Sequence, residues 1–189
     1  DISARVHAEV TLRRLANDIS ARVHAEVTLR RLAKAVDASA DAIYITTPDG
    51  TIEYVNAAFT ALTGWQPAEV VGQNPRVLKS GRTSADTYQR MWATLRQGRV
   101  WNGRLVNTRR VARPDGSWDF ADYWAQSTIA PYFTESGALL GYVALQRDIT
   151  EFKELENRFY ESQKLAAVGQ LSAGIAHEVR NPLSSIKMS

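Results

Sequence analysis

The 189-residue chain has no cysteine. That absence removes a disulfide framework, a thiolate metal site and a cysteine nucleophile together, and it fits a reducing, cytoplasmic setting. No stretch approaches the roughly 18 apolar residues of a membrane span, and the N-terminus lacks a signal-peptide pattern, so a soluble chain is expected. Charge of one sign is also missing. Residues 1–34 carry seven Lys and Arg against four Asp and Glu, while the remainder carries 16 of each, so the net +3 belongs to the N-terminus alone. No basic face of the kind that binds nucleic acid is left. Histidine is scarce, at three residues. What is present in quantity is core material, with 44% hydrophobic and 9% aromatic residues, enough for one domain with helical extensions.

The first sixteen residues recur unchanged at positions 18–33, and only the following position differs, Asn17 against Lys34. Each copy patterns as an amphipathic helix, with Ile2, Val6, Val10, Leu12 and Leu15 on a broad apolar side. A 17-residue period turns a helix by about 1700°, so the second stripe is rotated by about 100° and the two cannot share one straight seam. The duplicated segment, 1–34, fits either an extended coiled coil or a recent or engineered duplication. His7 and His24, one per copy, read as solvated helix residues.

From Val36 the pattern changes. Residues 42–47 alternate as a strand, Pro48-Asp49-Gly50 is a turn, and residues 51–55 are the returning strand. A short helix follows with Asn56 as N-cap and Gly64 as terminator, then another helical turn over 67–71 and a loop over 72–82. Residues 84–97 predict the longest helix of this region, with Tyr88, Met91, Trp92 and Leu95 on its inner face. Strands are expected over 100–109, 117–129 and 139–147, joined by turns at 113–116 and 134–137. Two strands, several short helices and three strands make an α+β domain on an antiparallel sheet. Asp148 is placed to cap the helix that follows, with Glu151 closing a capping box.

From Thr150 no turn signal appears before Pro182, which predicts one long helix. Phe152, Leu155, Phe159, Ser162 and Ala166 are spaced as the seam of a parallel coiled coil. Beyond Ala166 the apolar residues are Val168, Leu171, Ile175, Val179, Leu183 and Ile186, a shift of about one residue that marks a local change of supercoil. Opposite that stripe stands His177, with Asn181 one turn on and the small residues Ala173 and Gly174 one turn before. Glu178 is placed to accept one ring proton of His177, which leaves the other nitrogen free to attack an electrophile. Pro182 should loosen the helix just beyond. Spacing alone fits a solvated surface histidine better than a nucleophile.

The motifs taken together say more. His177-Glu178-Val179-Arg180-Asn181-Pro182-Leu183 resembles the phosphoacceptor box of sensor histidine kinases. That resemblance implies that His177 takes the γ-phosphoryl group of ATP, that Glu178 serves as base, and that Asn181 positions water in the reverse, phosphatase reaction. Upstream, Pro48-Asp49-Gly50, Tyr54-Val55-Asn56-Ala57-Ala58-Phe59, Thr63-Gly64-Trp65, Gly72-Gln73-Asn74-Pro75-Arg76, Trp101-Asn102-Gly103, Pro114-Asp115-Gly116 and Asp148-Ile149-Thr150 resemble, in order, a PAS sensor domain. The expected organisation is a duplicated helical segment at 1–34, a PAS domain with a five-stranded antiparallel sheet at 35–150, a coiled-coil linker at 151–167 and a first phosphoacceptor helix at 168–189, the long helices forming a dimeric coiled coil.

Ligand expectations follow residue by residue from the PAS resemblance. Pro75 stands where light-sensing relatives carry a cysteine, so a cysteinyl–flavin adduct is excluded, and the helix over 84–97 has no histidine for haem. Non-covalent FAD stays open, because Trp101 and Asn107 lie six apart on one strand and offer a stacking face and a ring-edge amide, as do another small ligand, a structural core tryptophan and an empty domain. The leading expectation is a homodimeric fragment of a sensor histidine kinase that receives ATP through a catalytic domain outside this chain and passes phosphate to a response regulator. The parent is left open to membrane association. The rival is an engineered or natural PAS dimerisation or ligand-binding module without kinase activity. The chain stops twelve residues after His177, before the second helix that the kinase resemblance implies.

Overall fold

The computed structural model describes the backbone of residues 2–186 and the side chains of residue 7 and residues 9–168. Helix α1, Ile2–Asp37, runs through both sequence copies without a break and three residues past Lys34. Strands β1, Ala42–Thr46, and β2, Ile52–Val55, form the predicted hairpin. Its turn is fixed by Asp49, which accepts from the hydroxyls of Thr47 and Thr51. Helices α2, Ala57–Thr63, and α3, Pro67–Val70, follow. A 3-10 turn, Pro75–Leu78, interrupts the stretch expected to be loop. Asn74 causes it, because its Oδ1 accepts from Arg76 N at 3.1 Å and so satisfies a donor that the turn leaves free.

Helix α4, Ala85–Arg96, is capped by Ser84, the residue at which the helix was expected to begin. Then come β3, Trp101–Ala112, β4, Trp118–Phe133, and β5, Leu139–Asp148. The long β3–β4 ladder extends past the predicted end at Arg109, pairing Arg110 with Phe120 and Ala112 with Trp118. The five strands make one sheet in the order β2-β1-β5-β4-β3, with every pairing antiparallel. Period-2 alternation sends Tyr44, Leu105, Ile129, Tyr142 and Ala144 to one face, where they meet Phe59, Val70, Leu78, Met91 and Leu95 of the helical layer. Each large apolar side chain so buried contributes about 1.5–3 kcal/mol.

Asn56 is the polar keystone of this layer. Its Oδ1 accepts from Phe59 N at 2.9 Å, as a cap, and from Ile43 N at 2.8 Å. Its Nδ2 donates to Val36 O and Asp41 O, each at 3.0 Å. One side chain therefore ties α2, β1 and the end of α1.

Helix α5, Thr150–Ile186, leaves directly from β5. The capping box foreseen at Asp148 and Glu151 does not form, because Asp148 is still a strand residue paired with Ala125. Asp148 Oδ1 instead accepts from Thr150 N at 2.8 Å. The expected seam residues Phe152, Leu155 and Phe159 are 57%, 56% and 61% exposed, an apolar stripe with no cover from this chain. The shifted stripe beyond Val168, the box His177-Glu178-Asn181 and the loosening at Pro182 lie outside the described side chains.

Candidate functional site: a cavity between the sheet and the helical layer

A cavity of about 640 Å³ opens between the inner face of the sheet and the layer formed by α4 and the 3-10 turn. Strand alternation supplies its floor, with Tyr44 and Thr46 of β1, Leu105 and Asn107 of β3, Ile129 of β4, and Tyr142, Ala144 and Gln146 of β5. Met91, Trp92 and Leu95 of α4 form the opposite wall. The lining is mostly apolar and aromatic with a few convergent polar groups, the composition of a small-molecule site. Trp92 stands edge-on to Tyr142, with centroids 5.7 Å apart.

The polar groups sit at two ends. Inside, Gln146 and Asn107 are 1% and 3% exposed, so their amides have to be satisfied by protein or by an occupant. Gln146 Oε1 accepts from Tyr123 Oη at 3.2 Å and from Asn107 Nδ2 at 3.4 Å, while Gln146 Nε2 donates to Tyr44 Oη at 3.5 Å. These bonds are long and leave hydrogen-bonding capacity toward the cavity. Burial pushes the Tyr44 hydroxyl far above its ordinary range, and Tyr123 up to about 12, so both remain protonated donors at neutral pH.

The other end carries Asp49, Asn74, Arg76 and Lys79. Asn74 Nδ2 donates to Gly50 O at 3.1 Å and its Oδ1 also accepts from Arg76 Nε at 3.1 Å, which fixes the loop. Lys79 Nζ lies 4.0 Å from the centroid of the Tyr88 ring. The bonds from the Thr47 and Thr51 hydroxyls hold the Asp49 carboxyl below its usual range.

The two sequence-predicted ligand residues part company here. Asn107 lies on the cavity wall. Trp101 does not; it is a core residue whose indole lies across Gly103, so close that a Cβ on Gly103 would fall 2.2 Å from the ring. Both share a strand face, as parity required, but the glycine between them lets the indole fold flat along the strand and away from the cavity. Gln146, Tyr44, Tyr142, Arg76 and Lys79 were not singled out. Gln146 could have been found, since it follows Tyr142 and Ala144 at period two as a polar residue on an otherwise inward face. Pro75 is on the wall and offers no nucleophile. Among the described residues no group of three or more His, Cys, Asp or Glu could hold a metal, and no helix is long and apolar enough to cross a membrane.

A family profile described as PAS domain matches residues 40–151. The chain belongs to the PAS family. The nitrogen fixation regulatory protein of Klebsiella oxytoca is 40% identical over 117 residues, which cover 62% of this chain and 22% of that protein. Sporulation kinase C of Bacillus subtilis is 28% identical over 156 residues, covering 77% of this chain and 34% of the kinase. The signal transduction histidine-protein kinase AtoS of Escherichia coli is 29% identical over 151 residues, covering 79% and 23%. The chain thus spans about a fifth to a third of these relatives. The crystal structure of the PAS domain of a Colwellia psychrerythraea protein superposes with a TM-score of 0.53 at 29% identity, covering 66% of this chain and 98% of that one. A light-oxygen-voltage domain studied with a flavin analogue superposes with a TM-score of 0.53 at 26% identity, covering 71% and 96%. This is a PAS domain with homology to PAS-containing histidine kinases and to other regulators, and its α+β fold with a five-stranded antiparallel sheet is the one expected.

Proposed function

We propose that this PAS domain is the sensory part of a two-component histidine kinase, and that the occupant of its cavity sets the position of α5 and thereby the reactivity of His177. What supports the reading is the similarity to sporulation kinase C and to the histidine-protein kinase AtoS, over 156 and 151 residues where the PAS stretch at 40–151 has 112, together with the His-Glu-x-x-Asn-Pro box that the sequence carries beyond that stretch. In this reading His177 is the phosphoacceptor, Glu178 its base and Asn181 the residue that positions water for dephosphorylation. ATP reaches His177 through a catalytic domain outside this chain, and a response regulator takes the phosphoryl group. Phe152, Leu155 and Phe159 form the seam of a parallel homodimer.

The cavity suits a flat heterocycle. Tyr44, Trp92, Tyr142 and Ile129 would hold its faces, the amides of Asn107 and Gln146 would meet an edge that both donates and accepts, and Arg76 and Lys79 would meet an anionic tail. A non-covalent flavin such as FAD fits that donor set, and it would supply a redox-dependent protonation state at the ring edge. The protein's part is to orient that edge and exclude water from it.

With an ATP-binding catalytic domain supplied, the chain is expected to acquire acid-labile phosphate, and His177→Gln to acquire none. Labelling that persists in His177→Gln refutes the assignment. A second reading, a PAS ligand-binding module without kinase activity, draws on the higher identity to the nitrogen fixation regulatory protein, which is confined to 117 residues. It predicts a folded dimer that never labels.

A further inference from the structure

Two features lie on opposite sides of one buried tyrosine. On one side is the cavity amide of Gln146. On the other is the ion pair that holds the root of α5. Tyr123 is 1% exposed and paired with Asn107 across the β3–β4 ladder. Its hydroxyl reaches past Ala125 to Gln146 Oε1 at 3.2 Å. Its ring lies beneath the guanidinium of Arg109, 5.5 Å from the centroid. Arg109 Nη1 in turn binds Asp148 Oδ2 at 2.7 Å, and the other oxygen of the same carboxylate accepts from Thr150 N, the first residue of α5.

The next residue of β4, Trp124, holds that same turn from the far face. Its N–H donates to Thr150 Oγ1 at 2.9 Å, its carbonyl accepts from Ile149 N at 2.8 Å, and its ring lies 5.6 Å from Lys153 Nζ. Strand alternation puts Tyr123 inward and Trp124 outward, so a shift of this part of β4 is felt by the cavity and by the helix root together. Burial keeps the Tyr123 hydroxyl protonated, so it donates to Gln146 Oε1, and the Asn107 amide that also meets it lines the same cavity.

We propose that Tyr123 is the positioning residue that couples Gln146 to α5: a change in the partner of the Gln146 amide moves the Tyr123 hydroxyl, the ring shifts under Arg109, and the Arg109–Asp148 pair that caps α5 re-registers. This rests on reading the cavity as the sensing site, yet it is tested without a ligand, so failure to bind flavin or to take up phosphate does not bear on it.

The experiment is amide hydrogen exchange followed by NMR on the whole chain, reading Thr150 N–H and Lys153 N–H, whose acceptors are Asp148 Oδ1 and Ile149 O. Ala130 N–H and Val143 N–H, in the β4–β5 ladder away from the route, serve as controls. Gln146→Ala is expected to speed exchange at Thr150 and Lys153 about fivefold, the effect of one buried hydrogen bond, and Tyr123→Phe to do the same. The double variant is expected to match the single ones, with the controls unchanged. Three results overturn the proposal: multiplied effects of about 25-fold in the double variant, no change at Thr150 and Lys153 in Gln146→Ala, or equal acceleration of the controls, which marks general loosening of the sheet.

Discussion

Replacing Asn56 by alanine should cost far more than the loss of a helix cap. A cap substitution alone costs about 1 kcal/mol. Asn56 is 1% exposed and serves four backbone groups, namely Phe59 N, Ile43 N, Val36 O and Asp41 O. Alanine removes every protein partner, and each buried group left unsatisfied costs about 1–3 kcal/mol. Phe59 N is the deepest and the two carbonyls lie nearer the surface, so the lower part of that range applies to the carbonyls. The sum is about 4–8 kcal/mol, a large part of the roughly 5–15 kcal/mol that stabilises an ordinary domain. In melting temperature that is about 15–30 °C for a domain of this size. Urea unfolding followed by far-UV circular dichroism and by tryptophan emission measures it. The helical signal of α1 should loosen first, since the Val36 bond ties its end to the domain. Asn56→Asp should not rescue, because it keeps the acceptor oxygen but turns a carboxylate toward the carbonyls of Val36 and Asp41. A loss below about 1.5 kcal/mol for Asn56→Ala, with an unchanged denaturant slope, refutes the reasoning that these four bonds are buried and irreplaceable.

Gly141→Ala should prevent folding or cost at least about 3 kcal/mol, since its Cβ would lie 1.9 Å from Thr46 O in the neighbouring strand; soluble yield and urea unfolding decide it. Gly103→Ala should drive the Trp101 indole off the strand at a cost of about 1–3 kcal/mol, visible as a red shift of emission that is lost when Trp101→Phe is added. Asp148→Asn should destabilise at neutral pH and flatten the acid dependence. Burial raises the Asp148 pKa, but the bonds from Thr150 and Arg109 outweigh it and leave the carboxyl below its usual range, so its stabilising share is present above about pH 4, the ordinary carboxylate value, and is lost as pH falls through the lowered folded value. The stability difference between the wild-type chain and Asp148→Asn, measured by urea unfolding from pH 7 to 3, should therefore shrink toward acid; a difference independent of pH excludes a charged role for Asp148.

Most of the fold was legible because its signals are local. Pro48-Asp49-Gly50, the cap Asn56 and the αL glycine at 64 each determine a turn or a helix end within a few residues, and period-2 alternation then sorts the strands. The 3-10 turn at Pro75–Leu78 has a local signal, the Asn74 cap before Pro75, which was read only as loop, while the bond from Asn74 to Gly50, 24 residues away, that fixes the loop has none. Asp148 does accept from the first N–H of α5, but the capping box with Glu151 was misread. The ladder to Ala125 holds Asp148 in the strand, and only tertiary pairing says so. Of the site, Asn107 was found by strand parity, while Trp101 satisfied the same parity and was lost to a neighbour's missing side chain. Sequence spacing gives the face a residue occupies, and it does not say in which direction along the strand a long side chain leans.

The antiparallel pairing of β1 with β5 explains why one cavity can serve both ends of the chain. Ala42, the first residue of β1, is the register partner of Gln146, and Gln146 lies two residues before Asp148. The end of α1 and the start of α5 are therefore rooted on either side of the same buried amide. Arg147 closes the junction with two bonds of 2.8 Å to the carboxylate of Asp41, one residue from that pair. On the far side, Asn56 binds both Val36 and Asp41, and Tyr54 binds Asp37 at 2.7 Å. That exposed Arg147–Asp41 pair adds little stability by itself, but its bidentate geometry fixes the relative direction of β1 and β5 where the two long helices attach. A change in the hydrogen bonding of Gln146 thus acts on a lever whose two arms, Asp41 to α1 and Asp148 to α5, are already coupled through adjacent strands.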